Sequence, residues 1–302
     1  MKVLVLGSQG QLGQCLQDQF TPTSYQVIFH CRADTDITNF AETSDNLSSL
    51  NPDVVVNASA YTAVDKAETQ QSLANQVNHL AVDNLAKVCR RIGCFLIHIS
   101  TDYVFDGNAS LPYQEDDQTN PQGVYGLSKL AGEVAIQRTD CRFLIIRTAW
   151  VFSEYGNNFF KTMLSLGAER ETLNIVGDQI GCPTYAQDIG RLVVELLPKI
   201  GADNIESGIY HFCGDTPCSW YQFAEEIFSQ AKQLGYQIPK QIRSITTEDY
   251  PTPAKRPLYS VLNCTKILSC TNGGLSQFEA AVKRSLQELY GAQDDCNLLD
   301  KV

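Results

Sequence analysis

An apolar run of four residues, Val3-Leu4-Val5-Leu6, leads directly into Gly7-Ser8-Gln9-Gly10-Gln11-Leu12-Gly13, and an amphipathic stretch follows to Phe20. This feature limits the fold more than any other. A strand that breaks at a glycine and re-enters a helix within a few residues is the first half of a βαβ unit. Glycine permits the tight turn and brings backbone close to a diphosphate, which then rests on the amides of the helix N-terminus. A lone glycine pattern also suits an ordinary strand-to-helix turn. Its position after the N-terminal strand of a βαβ unit favours the dinucleotide reading for Gly7, Gly10 and Gly13.

The same alternation continues. Gln26–His30, Val54–Asn57, Phe95–Ser100 and Phe143–Arg147 read as further strands, with helices at Phe40–Leu50, around Leu73–Ile92 and at Tyr125–Arg138 between them. Their continuous apolarity predicts strands covered on both faces, hence a parallel sheet. The expected fold is α/β, a Rossmann-like doubly wound parallel sheet over residues 1–150, with later segments returning to it. From 151 to 292 the pattern turns irregular. Helical stretches at Asn158–Leu166, Ala186–Leu197, Ser219–Leu234 and Ser276–Leu289 alternate with short strands at Thr172–Val176 and Gly208–Phe212. Pro251, Pro253 and Pro257 mark an ordered loop, because proline restricts both itself and its predecessor. This part reads as a smaller, irregular α/β substrate domain, and 293–302 as a frayed tail.

Composition narrows the function. Of the 302 residues 43% are hydrophobic and 19% charged, which excludes wholesale disorder. A net charge of −11 argues against general affinity for nucleic acid or anionic lipid. No apolar run has the length of a membrane span, and the start lacks the form of a signal peptide, so a cytoplasmic protein without membrane partner is expected. The 11 cysteines contain no CxxC and the four histidines lie far apart. Reduced thiols are expected, and no metal.

Two further motifs carry chemistry. Tyr125 and Lys129, four apart on a predicted helix, share a face, and a nearby ammonium lowers a phenol's pKa. Such a phenol serves as a proton donor or acceptor near neutrality. Tyr-x-x-x-Lys is common by itself; behind a dinucleotide turn it is informative. Ser100-Thr101-Asp102-Tyr103 follows the fourth predicted strand, where open α/β sheets bind ligands, so Thr101 is placed to bond a substrate oxygen. At the end of the second strand, His30-Cys31-Arg32-Ala33-Asp34 has no carboxylate at Cys31 to hold ribose hydroxyls. Arg32 is then either a partner for a 2′-phosphate, favouring NADPH with NADH still open, or a solvated surface charge.

Glycine turn, strand-end Thr and Tyr-x-x-x-Lys in this order resemble the extended short-chain dehydrogenase/reductase superfamily. Asn57 to Glu68, Ser100 to Phe105, Arg147-Thr148-Ala149-Trp150-Val151 and Asp178 to Thr184 narrow this to a resemblance to the dTDP-4-dehydrorhamnose reductase family over nearly the whole chain. The resemblance implies NADPH-dependent reduction of the 4-keto group of dTDP-4-dehydro-L-rhamnose to dTDP-L-rhamnose. It implies Tyr125 as general acid, Lys129 tuning it and holding the nicotinamide ribose, and Thr101 supporting the same oxygen. Gly10, Gln11 and Leu12 would line the diphosphate. Ala60, Tyr61 and Thr62 would line the cofactor, as would Asp36 and Ile37 near the adenosine. Tyr61 stands where the family has histidine, which leaves its backbone as the expected contact. Thr101, Asp102 and Trp150 would meet the sugar, and Arg256 either pairs with the substrate diphosphate or is a surface arginine. A homodimer is a further expectation. Family members that dimerise through a metal use an acidic residue early in the first helix; Gln14 and Cys15 stand here, so that site is not expected.

Two rivals share the scaffold. A 4,6-dehydratase needs Asp-Glu after the strand-end Thr, and this chain has Asp102-Tyr103. A non-catalytic NADP-binding regulator, similar to the regulatory subunit of methionine adenosyltransferase, can retain Tyr and Lys and stays open on motifs alone.

Overall fold

A computed structural model describes residues 1–299, with side chains through Gly291. The chain begins with β1 (Lys2–Leu6), α1 (Gln11–Phe20), β2 (Gln26–His30), α2 (Phe40–Leu50) and β3 (Val54–Asn57). Short helices α3 (Val64–Ala67) and α4 (Gln71–Asn75) pass through a π-helical turn at Gln76–Leu80 into α5 (Ala81–Ile92). Next come β4 (Phe95–Thr101), a 3-10 turn at Asp102–Val104, α6 (Val124–Arg138) and β5 (Phe143–Thr148). The second half holds β6 (Val151–Phe152), α7 (Phe159–Glu169), β7 (Thr172–Val176), β8 (Ile180–Gly181), β9 (Thr184–Tyr185) and α8 (Ala186–Gly201). It ends with β10 (Gly208–His211), β11 (Cys218–Ser219), α9 (Trp220–Gln233), β12 (Gln241–Ile245), α10 (Thr265–Leu268) and α11 (Phe278–Leu299). The tail expected from 293 thus begins inside α11, and 300–302 lie outside the described residues.

Six strands form one parallel sheet in the order β10-β5-β4-β3-β1-β2. Successive residues of a strand face opposite ways, and both faces are apolar here. Val3, Val5, Val54, Val56, Ile97 and Ile146 pack with α1 and α8 on one face. Leu4, Leu6, Val55, Leu96 and Ile145 pack with α2 and α5 on the other. Each fully buried Val or Leu contributes roughly 1.5–3 kcal/mol. A third core joins α7, α9 and α11 through Phe160, Phe223, Ile227 and Val282. Residues 186–211 belong to the first lobe, with α8 against α1 and β10 extending the sheet beside β5. Among the described residues no helix is long and apolar enough to cross a membrane.

β4 and β5 each run one residue beyond expectation, because Thr101 and Thr148 still pair across the two strands. Between them and α6 lies a buried ion pair. Glu133 of α6 is 0% exposed and Arg147 of β5 2%; their closest atoms are 2.7 Å apart. The Ser100 hydroxyl donates to the same carboxylate, and the guanidinium also donates to the Glu115 carbonyl and lies over the Phe105 ring. Removing one member strands the other charge without water. Glu133→Ala is therefore expected to lower unfolding free energy by about 3–5 kcal/mol, whereas replacing both residues with apolar side chains of similar volume costs far less. Equilibrium urea unfolding of the two variants checks this.

Candidate active site

β1 lies between β2 and β3, so the connection leaving β1 runs toward β2 while that leaving β3 runs the other way toward β4, and a crevice opens at the carboxyl ends of β1 and β3. The glycine turn occupies that crevice, and its glycines have different tasks. Gly7 takes a left-handed φ of 82°, and a Cβ there would lie 2.8 Å from Ser59 Oγ. A Cβ on Gly13 would lie 2.2 Å from the Gly7 carbonyl oxygen, so no side chain fits between α1 and the turn. A Cβ on Gly10 would approach only the Gly7 carbonyl, at 3.3 Å, and Gly10 lines the adjoining cavity. No side chain caps α1 and no acid stands in its first turn, leaving its amides to an anionic ligand. These features fit a dinucleotide diphosphate.

The cavity, of about 1170 Å³, runs from Gly10, Gln11 and Leu12 past Ala60 and Thr62 to Thr101, Tyr125 and Lys129. It continues to Trp150 and Arg256. Gln11 also joins the two halves, since Asn158 at the start of α7 donates to its side-chain oxygen at 2.7 Å.

Thr101 ends β4, while Tyr125 and Lys129 stand one turn apart at the start of α6. The helix can approach the turn that follows β4 closely because Gly126 carries no side chain: a Cβ there would lie 2.2 Å from the Tyr103 carbonyl oxygen. Burial pushes the Tyr125 phenol well above its usual range, offset in part by hydrogen bonding to Thr101. Lys129, expected to lower it, makes no hydrogen bond to Tyr125 among the described residues. The Lys129 Nζ donates instead to the Ile99 carbonyl at 2.7 Å and lies 3.2 Å from His98 Nε2. Burial brings the Lys129 amine down to about 8. Asp102 is buried; its Oδ1 accepts from the Thr101 hydroxyl at 2.9 Å, its Oδ2 has no hydrogen-bond partner among the described residues, and burial raises its carboxyl to about 6.

Trp150 has a left-handed φ of 49° and stacks on Trp220, with ring centroids 3.5 Å apart and planes 6° from parallel. Its indole fills the space beside Gly181, where a Cβ would come within 2.4 Å of the ring. It is partly buried, packing against both the sheet core and the α7–α9–α11 core while walling the cavity. Arg256 pairs with Asp65 at 2.8 Å and also faces the cavity.

Other expected contacts are engaged elsewhere. The Asn78 side chain takes both the N–H and the carbonyl of Tyr61, at 2.8 and 3.0 Å, so the backbone contact expected from Tyr61 is already used. Asp36 accepts from Thr38 and from Arg32, Ile37 is buried in the core, and Arg32 is an exposed side chain paired with Asp36. None of these four lines the cavity. Sequence reasoning missed Trp220, Asn57 and His98. The signal for the last two was a polar residue inside an apolar strand, which must find a buried partner.

The Asp102 carboxyl holds its proton more tightly in the folded protein, about 6 against an ordinary 3.8. Its contribution is therefore most favourable below about pH 4 and is lost as pH rises through 6, a change on the order of 3 kcal/mol. Asp102→Asn removes the cost of the buried charge. The variant is expected to exceed the parent in thermal stability at pH 8 and to match it near pH 3.5, as read by melting curves at both values.

The family described as RmlD substrate binding domain matches residues 1–291. The dTDP-4-dehydrorhamnose reductase of Aggregatibacter actinomycetemcomitans is 41% identical over 286 residues, covering 93% of this chain and 97% of that protein. The spore coat polysaccharide biosynthesis protein SpsK of Bacillus subtilis is 39% identical, covering 97% and 99%. Among solved structures, the Bacillus anthracis dTDP-4-dehydrorhamnose reductase in complex with NADP is 33% identical with a TM-score of 0.88, covering 95% of this chain and 99% of its own. A Thermus thermophilus UDP-glucose 4-epimerase, 18% identical with a TM-score of 0.78 over 97% of this chain and all of that one, shares the fold. With its glycine turn, strand-end Thr101 and Tyr125–Lys129 helix set around one cavity, the chain belongs to the dTDP-4-dehydrorhamnose reductase family.

Proposed function

We propose that the protein reduces the 4-keto group of dTDP-4-dehydro-L-rhamnose to the alcohol of dTDP-L-rhamnose, using NADPH. The observation that carries this reading is the convergence of Thr101, Tyr125 and Lys129 on the cavity that opens at the glycine turn. Bound NADPH supplies the hydride. The rest falls to the chain itself. Tyr125, kept as the neutral phenol by burial, gives its proton to the carbonyl oxygen as it becomes an alkoxide. The Thr101 hydroxyl supports the same oxygen, and Lys129 holds the ribose of the cofactor. Carbonyl, hydride and phenolic proton together give the secondary alcohol and a phenolate, which regains its proton from solvent.

Trp150 and Trp220 form the apolar wall that keeps water from the sugar, and Arg256 meets the nucleotide diphosphate. Cys31 in place of a ribose-binding carboxylate and the NADP complex of the Bacillus anthracis relative support NADPH over NADH. Tyr103 disfavours a dehydratase: its phenol stacks edge-on against Tyr125 and is pushed up to about 12 by burial, so it is no base at neutral pH. The curated relatives are named as reductases, which favours catalysis over the non-catalytic alternative.

NADPH oxidation with enzymatically generated dTDP-4-dehydro-L-rhamnose tests the reading. The wild type is expected to turn over, and Tyr125→Phe to lose about 10²–10⁴ in kcat while retaining NADPH binding. A wild type that binds NADPH yet leaves the sugar unreduced would overturn the assignment.

A further inference from the structure

The segment Asp178 to Thr184 stands at the foot of the Trp150–Trp220 wall, and its backbone pairing decides which side chains meet there. β8 pairs antiparallel with β11, Gly181 opposite Cys218 and Ile180 opposite Ser219. The next step of that register brings Gln179 opposite Trp220, at the start of α9. Side chains directly opposite in an antiparallel pair share a face and touch. The same segment seats the other tryptophan. The Thr184 backbone N–H donates to the Trp150 carbonyl at 3.1 Å, and a Cβ on Gly181 would strike the indole.

Gln179 is 4% exposed, and its hydrogen bonds have one consistent direction. An indole N–H only donates, so the Trp220 Nε1–H must meet Gln179 Oε1, 3.1 Å away. The amide nitrogen then faces Thr247, whose hydroxyl oxygen accepts from it at 3.1 Å. The single proton of that hydroxyl is left for Asp178 Oδ1 at 2.7 Å. The Thr247 backbone N–H donates to both oxygens of the same carboxylate, each at 2.9 Å. A chain of donors thus runs from Trp220 through Gln179 and Thr247 to Asp178, with every step matched. Thr247 lies just beyond β12, in the loop whose Asp249, Tyr250, Thr252 and Arg256 line the same cavity. The ring's other close neighbours are Trp150, Phe159 and Phe223, apolar contacts that have no fixed direction. The rotation of Trp220 and its tie to that loop are therefore held by one buried amide.

We propose that Gln179 is a positioning residue: acting through Trp220, it locks the tryptophan wall to the loop that carries Arg256 and so sets the grip on the sugar nucleotide. The consequence for substrate rests on the reductase reading. Hydride and proton transfer occur at the other end of the wall, at Thr101 and Tyr125, and do not depend on this amide.

The chain has two tryptophans, so both indole N–H signals, and any circular-dichroism couplet between stacked indoles, come from this wall. With 15N-labelled tryptophan, the wild-type Trp220 indole N–H, assigned with Trp220→Phe, is expected to exchange with solvent about tenfold more slowly than in Gln179→Leu. Gln179→Leu is also expected to weaken the couplet and to raise KM for dTDP-4-dehydro-L-rhamnose about tenfold, the value of one lost hydrogen bond. Its kcat and its affinity for NADPH are expected to stay within about twofold of the wild type, less than one hydrogen bond is worth. Thr247→Val keeps the volume but cuts the outer bond, and is expected to raise KM as well; Thr247→Ser is expected to restore it. Two freely exchanging indole signals in the wild type overturn the proposal, whether or not any variant folds. A folded Gln179→Leu with unchanged couplet and KM also overturns it. So does one in which KM, kcat and NADPH affinity all worsen together, the mark of a purely structural role. If Gln179→Leu does not fold, the Thr247 pair carries the same kinetic comparison, and equal KM values for Val and Ser overturn the proposal. Exchange and circular dichroism require neither cofactor nor sugar, so a wild type that leaves the sugar unreduced defeats the reductase reading and not the hydrogen-bond chain.

Discussion

Glu133 and Arg147 bring two opposite charges into a region almost without water, and the reactive wall of the cavity is built on that pair. One carboxylate receives a guanidinium from β5 and a hydroxyl from β4 while standing on α6, so three elements are tied at one point. Isolated ions are too costly to bury, which means that these elements cannot slide past one another without leaving a charge unmatched. Lys129 and Tyr125 lie one and two turns along the same helix, at 5.4 Å per turn. Thr101 follows Ser100 directly. The heights of all three on the cavity wall are therefore set by the register of the ion pair.

Above that anchor burial opposes charge on the wall, although Asp102 at about 6 and Lys129 at about 8 still carry opposite charges near pH 7. Burial raises Tyr125 and Asp102 and lowers Lys129 and His98, four shifts with one cause. Exposed or half-exposed cations are kept at a distance, at Arg32 and Arg256. This suits a protein of net charge −11 whose proposed ligands are both anionic. Their phosphates need local cations and helix amides, whereas the carbonyl to be reduced needs a dry, uncharged donor.

Much of the frame was legible in the sequence because its residues have one physical task each. Strands β1, β3, β4 and β5 are read from largely apolar runs, since both faces are covered, the partly exposed edge strand β2 from Val27-Ile28-Phe29, and the glycine turn from its spacing. β12 escaped notice: Gln241-Ile242-Arg243-Ser244-Ile245 is a largely exposed strand paired only with β7, and its alternation is weak. The direction of Lys129 was also illegible. Helical spacing places it on the Tyr125 face, but its head group is directed by His98 and the Ile99 carbonyl, partners that adjoin it only after the sheet has formed. Likewise Tyr61 reads as a cofactor contact until Asn78, 17 residues away, takes both of its backbone groups. Such side-chain-to-backbone bonds leave no periodicity to detect.

The position of β10 at the edge of the sheet has a consequence for synthesis. β5 ends at Thr148 and its outer neighbour ends at His211, about 60 residues later. At roughly 5–20 residues per second, the ribosome delivers that neighbour about 3–12 s after β5. During that interval β5 presents an open row of backbone donors and acceptors, the kind of edge along which chains aggregate. The intervening segment includes α8, which also covers α1, so the nascent first lobe has both an unpaired edge and an uncovered apolar face. The protein is thus most exposed to misassembly midway through translation, and any chaperone that serves it is needed between the emergence of β5 and that of β10.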